Sequence, residues 1–132
     1  MSAPYIFVMP LSFKERKKIL QNVNTLDLTP VKLQAEEVDD ENIVTVIYPK
    51  FKNELAKKFI VPKLKSGEFR IKLEKFGSAV WMNMNGKNKV HDIIKILQAK
   101  FGDEFQDAET RVIKFIFQLY EQKLISFNEL NR

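Results

Sequence analysis

The chain of 132 residues contains no cysteine, which excludes a disulfide framework, a thiolate nucleophile and any cysteine-based zinc site. Histidine is nearly absent as well. With His91 as the only one, a multi-histidine metal site cannot form within one chain. His91 falls in the first turn of an expected helix, where the dipole disfavours a cation, and has no carboxylate constellation beside it. No window approaches the roughly 18 apolar residues that span a bilayer. The apolar stretch Tyr5 to Met9 lies between Pro4 and Pro10, with no positive charge before it and no small-residue cleavage site after it. It therefore predicts no signal peptide, and a soluble, cytoplasmic protein is the expectation. A glycine-rich phosphate loop, a nucleophile elbow and a catalytic dyad are missing too. Glu36, Glu37, Asp39, Asp40 and Glu41 lack the glycine and the distal glutamate of a calcium loop. Together these gaps predict a protein that is not an enzyme and has no metal and no cofactor.

What is present is a core. The chain is 45% hydrophobic and 30% charged, with eleven Phe and one Trp, a composition that fits a single globular domain. A chain of this size buries roughly two thirds of its unfolded surface and needs no staples. The formal charge of +5 is concentrated locally. Residues 50–75 carry nine basic against three acidic side chains, whereas residues 103–132 carry four against six.

Lys14 to Asn22 reads as a turn or two of polar helix, and Leu26 to Val31 as a short extended piece ended by Pro30. The acidic run Glu36 to Asn42 reads as a solvated loop closing an N-terminal extension, residues 1–42, that is partly irregular. Ile43 to Tyr48 is almost wholly β-branched and stops at Pro49, the pattern of a buried strand. Phe51, Leu55 and Phe59 make a short helical stripe inside a Lys-rich insertion at about residues 50–67. Phe69-Arg70-Ile71-Lys72-Leu73 alternates apolar and basic residues, so one face is buried and the other presents Arg70 and Lys72 to water. Three helices follow. The first runs from Glu74 to Asn85-Gly86, the second from an N-cap at Asn88 to Gly102, and the third from about Asp107 to Gln122. An extended tail, Leu124 to Phe127, closes the pattern. The order predicts an α+β fold: a winged helix-turn-helix in which a small antiparallel N-terminal sheet of about three strands packs on three helices.

The third helix carries more apolar surface than one core needs. Val112, Phe115, Ile116 and Leu119 form one stripe, and Ile113, Phe117 and Tyr120 a second on the adjacent flank. Leaving side chains of that size exposed forgoes roughly 1.5–3 kcal/mol each. The second stripe must therefore be covered by the sheet or line a groove for an apolar peptide; the two readings can overlap. A DNA-reading helix would need a basic surround here, and this segment is net negative, so winged-helix nucleic-acid binding is the alternative reading only.

Phe76-Gly77-Ser78-Ala79-Val80-Trp81, then Gly86-Lys87, Val90, Ile93, Phe101-Gly102, Val112, Phe115, Leu119 and Leu124-Ile125 follow one another in an order that resembles the PqqD-like family. The resemblance covers about residues 43–127, within a domain read as 43–132. It implies a peptide chaperone of the kind that serves ribosomally made, modified peptides, including coenzyme PQQ synthesis. In that family a precursor (leader) peptide adds as a strand to the sheet edge beside the third helix and is presented to a partner, often a radical S-adenosylmethionine enzyme. Carried onto this chain, it makes Phe69, Arg70, Ile71, Lys72 and Leu73 the edge, with Ile113, Lys114, Phe117 and Tyr120 as candidates for the wall. Charges at a sheet edge also serve merely to prevent aggregation, the plain reading of Arg70 and Lys72. Lys89 stands where the family has a capping Thr or Ser, and the extension and insertion depart from its compact pattern. Those two segments also raise a third reading, a homo-oligomer paired through one of them.

Overall fold

The computed structural model describes residues 12–49 and 68–130. The stripe Phe51 to Phe59, the rest of the Lys-rich insertion and the stretch Tyr5 to Met9 lie outside them. Helix α1 (Phe13–Asn22) begins where Ser12 and Glu15 cap each other: Glu15 N donates to Ser12 Oγ at 3.0 Å and Ser12 N to Glu15 Oε1 at 2.9 Å. Its half-buried Ile19 and Leu20 rest on the core.

Two expectations for the next segment need correction. Residues 26–31 are not a single extended piece ended by proline. Thr25–Asp27 form a 3₁₀ turn capped by Asn24, and Pro30 opens strand β1 (Pro30–Lys32). A first strand residue tolerates proline because its missing N–H need not pair. Nor is the acidic run a loop throughout, because Ala35–Val38 form strand β2, paired antiparallel with β3 (Val44–Pro49). All four β2 residues are exposed, so no buried face imprints an alternation on the sequence. Asp39 shapes the turn between them. Its Oδ1 accepts from Ile43 N at 3.0 Å and Glu41 N at 2.8 Å, bonds that hold its carboxyl below the usual aspartate range, Ile43 contributing most.

Strand β4 (Glu68–Lys72) completes a meander in the order β2-β3-β4. Val44, Val46, Tyr48, Phe69 and Ile71 form its buried face. Helices α2 (Lys75–Met82), α3 (Val90–Phe101) and α4 (Ala108–Glu121) follow, and strand β5 (Ile125–Phe127) returns to pair with β1, Pro30 opposite Phe127. Trp81 is fully buried. A Cβ at Gly77 would lie 2.9 Å from Phe115 Cζ, so the glycine lets that ring rest on α2. The cap of α3 also differs from expectation. Lys89, not Asn88, is the N-cap, and its N–H donates to Asp92 Oδ2 at 2.9 Å. Asn88 is held in the preceding turn, its side-chain amide donating to Asn83 O at 2.9 Å.

The fold is thus α+β, with the element order of a winged-helix-like domain. Residues before β3 are bound into it. Val90 N donates to Leu28 O at 2.9 Å, and the Glu129 carboxylate accepts from both Thr29 N (2.8 Å) and Thr29 Oγ1 (2.9 Å). The joint between sheet and helices is made by Ser78 and Trp81. Ser78 Oγ accepts from Val44 N at 2.9 Å, and Trp81 Nε1 donates to Glu36 Oε1 at 3.0 Å. Both Ser78 and Val44 are fully buried. Ser78→Ala should lower stability by about 1–3 kcal/mol in urea unfolding, because it strands a buried N–H; an unchanged midpoint would show that the joint does not depend on this hydroxyl.

Candidate functional site: the β4 edge and the flanks of α4

Leu73 N donates to Val44 O at 2.8 Å, and the register continues through Val46↔Ile71 and Tyr48↔Phe69. In an antiparallel ladder hydrogen-bonded pairs alternate with unbonded ones, so Phe69, Ile71 and Leu73 spend their backbone groups on β3. Arg70 and Lys72 therefore turn their N–H and C=O groups outward. Side chains obey the same alternation. Phe69, Ile71 and Leu73 are buried, Arg70 is half-buried and Lys72 exposed.

Arg70 is engaged within the sheet. Its guanidinium meets the Glu37 carboxylate across β3, Nη1 to Oε1 at 2.8 Å and Nη2 to Oε2 at 3.4 Å. An acidic guest residue would have to compete with Glu37 for it, whereas Lys72 presents its charge to solvent.

On α4 the line Ala108, Val112, Ile116 and Leu119 is buried, and two flanks diverge from it. Ile113, Phe117 and Tyr120 occupy one. The rings of Phe117 and Tyr120 pack on Phe127 of β5, with centroids 5.6 and 5.2 Å away, so the β1–β5 ribbon covers part of this flank. The remainder opens into two shallow grooves. One of about 350 Å³ runs between α1 and α4, lined by Arg16, Lys17, Leu20, Phe117 and Tyr120 among others. The other, about 370 Å³, is lined by Ile113, Lys114, Phe117, Gln118 and Glu121.

The opposite flank turns to α2. Phe115 lies against Gly77, and the Arg111 guanidinium sits 4.3 Å from the Phe76 ring centroid and 5.0 Å from that of Phe105. Because α2 follows β4 directly, this is the α4 flank nearer in the chain path to β4. The structure thus brings Ile113, Lys114, Phe117 and Tyr120 together, and Phe69 to Leu73 together, but neither groove described beside α4 is lined by β4. Arg111 and Phe115 are the residues that sequence reasoning left out of the site. Their i, i+4 spacing on one flank was the available signal.

His91 Nδ1 lies 3.2 Å from Asp92 Oδ1, and among the described residues no three His, Cys, Asp or Glu side chains are grouped to hold a metal ion. Nor is any described helix long and apolar enough to cross a membrane.

Residues 61–125 match the family model for coenzyme PQQ synthesis protein D (PqqD). Over these residues, just under half of the chain, it is PqqD-like. The matched span holds β4, α2, α3, α4 and the first residue of β5, so β4 and both flanks of α4 lie in the PqqD-like region, while α1, β1, β2 and β3 precede it. No curated protein and no solved structure matches the chain.

The side chains of Arg70 and Glu37 are 34% and 59% exposed, which places their ion pair in the solvent-screened class. Glu37→Gln should therefore change unfolding free energy by less than about 1 kcal/mol. A loss well above that in chemical denaturation would make the pair a structural element of the meander.

Proposed function

We propose that this PqqD-like protein is a non-catalytic peptide-binding module that takes up a precursor (leader) peptide as an added strand on β4 and presents it to a modifying enzyme, a radical S-adenosylmethionine enzyme being the expected partner. The observation that carries this reading is the outward turn of the Lys72 backbone groups on an outer strand of the sheet formed by the described residues. Main-chain pairing supplies affinity in such additions, and side-chain contacts supply selectivity. Lys72 favours a guest with acidic residues. On the helix side the Arg111 and Phe115 flank is the one that packs on α2, the helix that follows β4. Ile113, Lys114, Phe117 and Tyr120 lie across α4, and half the circumference of a helix about 10 Å wide corresponds to about five extended residues. A guest that uses both flanks must continue that far beyond the strand.

The family description supports the reading, since PqqD-type proteins belong to a cofactor synthesis pathway. So does the alternation of buried and outward positions along β4. The test is titration of the full chain with a synthetic peptide of alternating valine and glutamate. Lys72→Pro deletes one outward N–H without touching the β3 ladder, so it should leave the fold intact and weaken binding about tenfold or more, tenfold being 1.4 kcal/mol. Binding should change little between 50 and 200 mM salt, roughly the range over which a phosphate binder loses orders of magnitude. No binding, or binding indifferent to Lys72→Pro, would overturn strand addition at β4.

A further inference from the structure

The meander has a second outer strand. Asp39 N donates to Ile43 O at 3.1 Å, and the register runs on through Glu37↔Thr45 and Ala35↔Ile47, so these residues spend their backbone groups on β3. Glu36 and Val38 turn theirs outward. Among the described residues the large hydrophobic side chains that stand exposed are Leu33 (53%), Val38 (46%) and Met82 (40%). Leu33 precedes β2 and Val38 ends it. Met82 lies one turn beyond Ser78, which holds Val44 opposite Val38, and directly follows Trp81, which donates to Glu36. Charge is equally one-sided. Residues 33–43 carry Glu36, Glu37, Asp39, Asp40 and Glu41 and no basic residue. Lys32 and Arg70 offset two of the five.

We infer that the β2 edge is a docking surface for an extended partner segment whose side chains alternate between apolar and basic. The pleat dictates that alternation. Val38 and Glu36 face the helix side with Val44 and Val46, so every second partner residue meets Val38 and Met82 and is apolar. The intervening residues lie on the face of Glu37, beside the Asp40 and Glu41 turn, and are basic. A second copy does not meet this description. Two β2 strands would set glutamates against glutamates, which is destabilising, and a second copy's β4, although its sequence alternates in this way, keeps Phe69 and Ile71 in its own core. The inference is independent of peptide capture at β4, because it uses the other edge and the opposite charge.

The test uses the full chain, a synthetic peptide of alternating valine and lysine, and amide chemical shifts. The peptide should shift Glu36 and Val38 with saturable binding, and the valine–glutamate peptide should not. Val38→Pro removes only an outward N–H and should weaken binding about tenfold or more, whereas Lys72→Pro leaves it unchanged. Met82→Lys, on an exposed helix end, should weaken it too and serves if the proline variant does not fold. Failure of the valine–lysine peptide to bind, shifts centred on Arg70 and Lys72 instead, or binding unaffected by these β2-side variants would overturn the inference. So would sedimentation that finds a dimer dissolved by Val38→Pro, since the occupant would then be a second copy.

Discussion

The position of the whole meander depends on the bond from Val44 N–H to the hydroxyl of Ser78. Val44 and Leu73 face each other at the end of the β3–β4 ladder, where Leu73 N still donates to Val44 O. The reciprocal donor, Val44 N–H, goes to Ser78 instead. The chain is thereby released from the sheet at Lys72 and enters α2 three residues later, with the buried Val44 donor still paired. Trp81, one turn on, reaches past β3 to Glu36 of β2. One short helix thus grips the central strand and one outer strand, and both outer strands keep a row of backbone groups turned away from the sheet.

Those two rows carry opposite charge. Arg70 and Lys72 mark β4, and Glu36 and Glu37 mark β2, with the Arg70–Glu37 pair tying them together over β3. Charged side chains on an exposed edge oppose indiscriminate pairing, since a guest of the wrong sign is repelled. On the two proposed docking edges, opposite signs would sort guests as well as exclude them. The segment before the family match closes the other side of the domain. Leu28, Thr29 and β1 cover α3, Glu129 and β5, and Leu33 N donates to Leu124 O at 3.0 Å.

Much of this was legible wherever an element buries one face. The third helix announces itself because Val112, Ile116 and Leu119 recur with helical period and are fully buried, and β4 because Phe69 and Ile71 alternate with Arg70 and Lys72. Strand β2 could not be read this way, since it buries nothing and is held by backbone bonds to β3. Strand β1 depends on β5, at the far end of the chain, and no local pattern encodes that pairing. For the candidate site, the outward positions of β4 follow from alternation, and the two flanks of α4 follow from the helical wheel. Which flank meets α2 does not: it rests on the fit of Phe115 over Gly77, a tertiary contact. Arg70's partner was hidden for the same reason, because Glu37 reaches it across an intervening strand.

The proposal of strand addition requires an open edge at β4, and amide hydrogen exchange in the free, full-length protein measures it most directly. Phe69, Ile71 and Leu73 should exchange slowly, and Lys72, between two of them, should exchange much faster. Uniform protection along all five amides would mean that the edge is already paired, and a guest strand would have no backbone groups to meet.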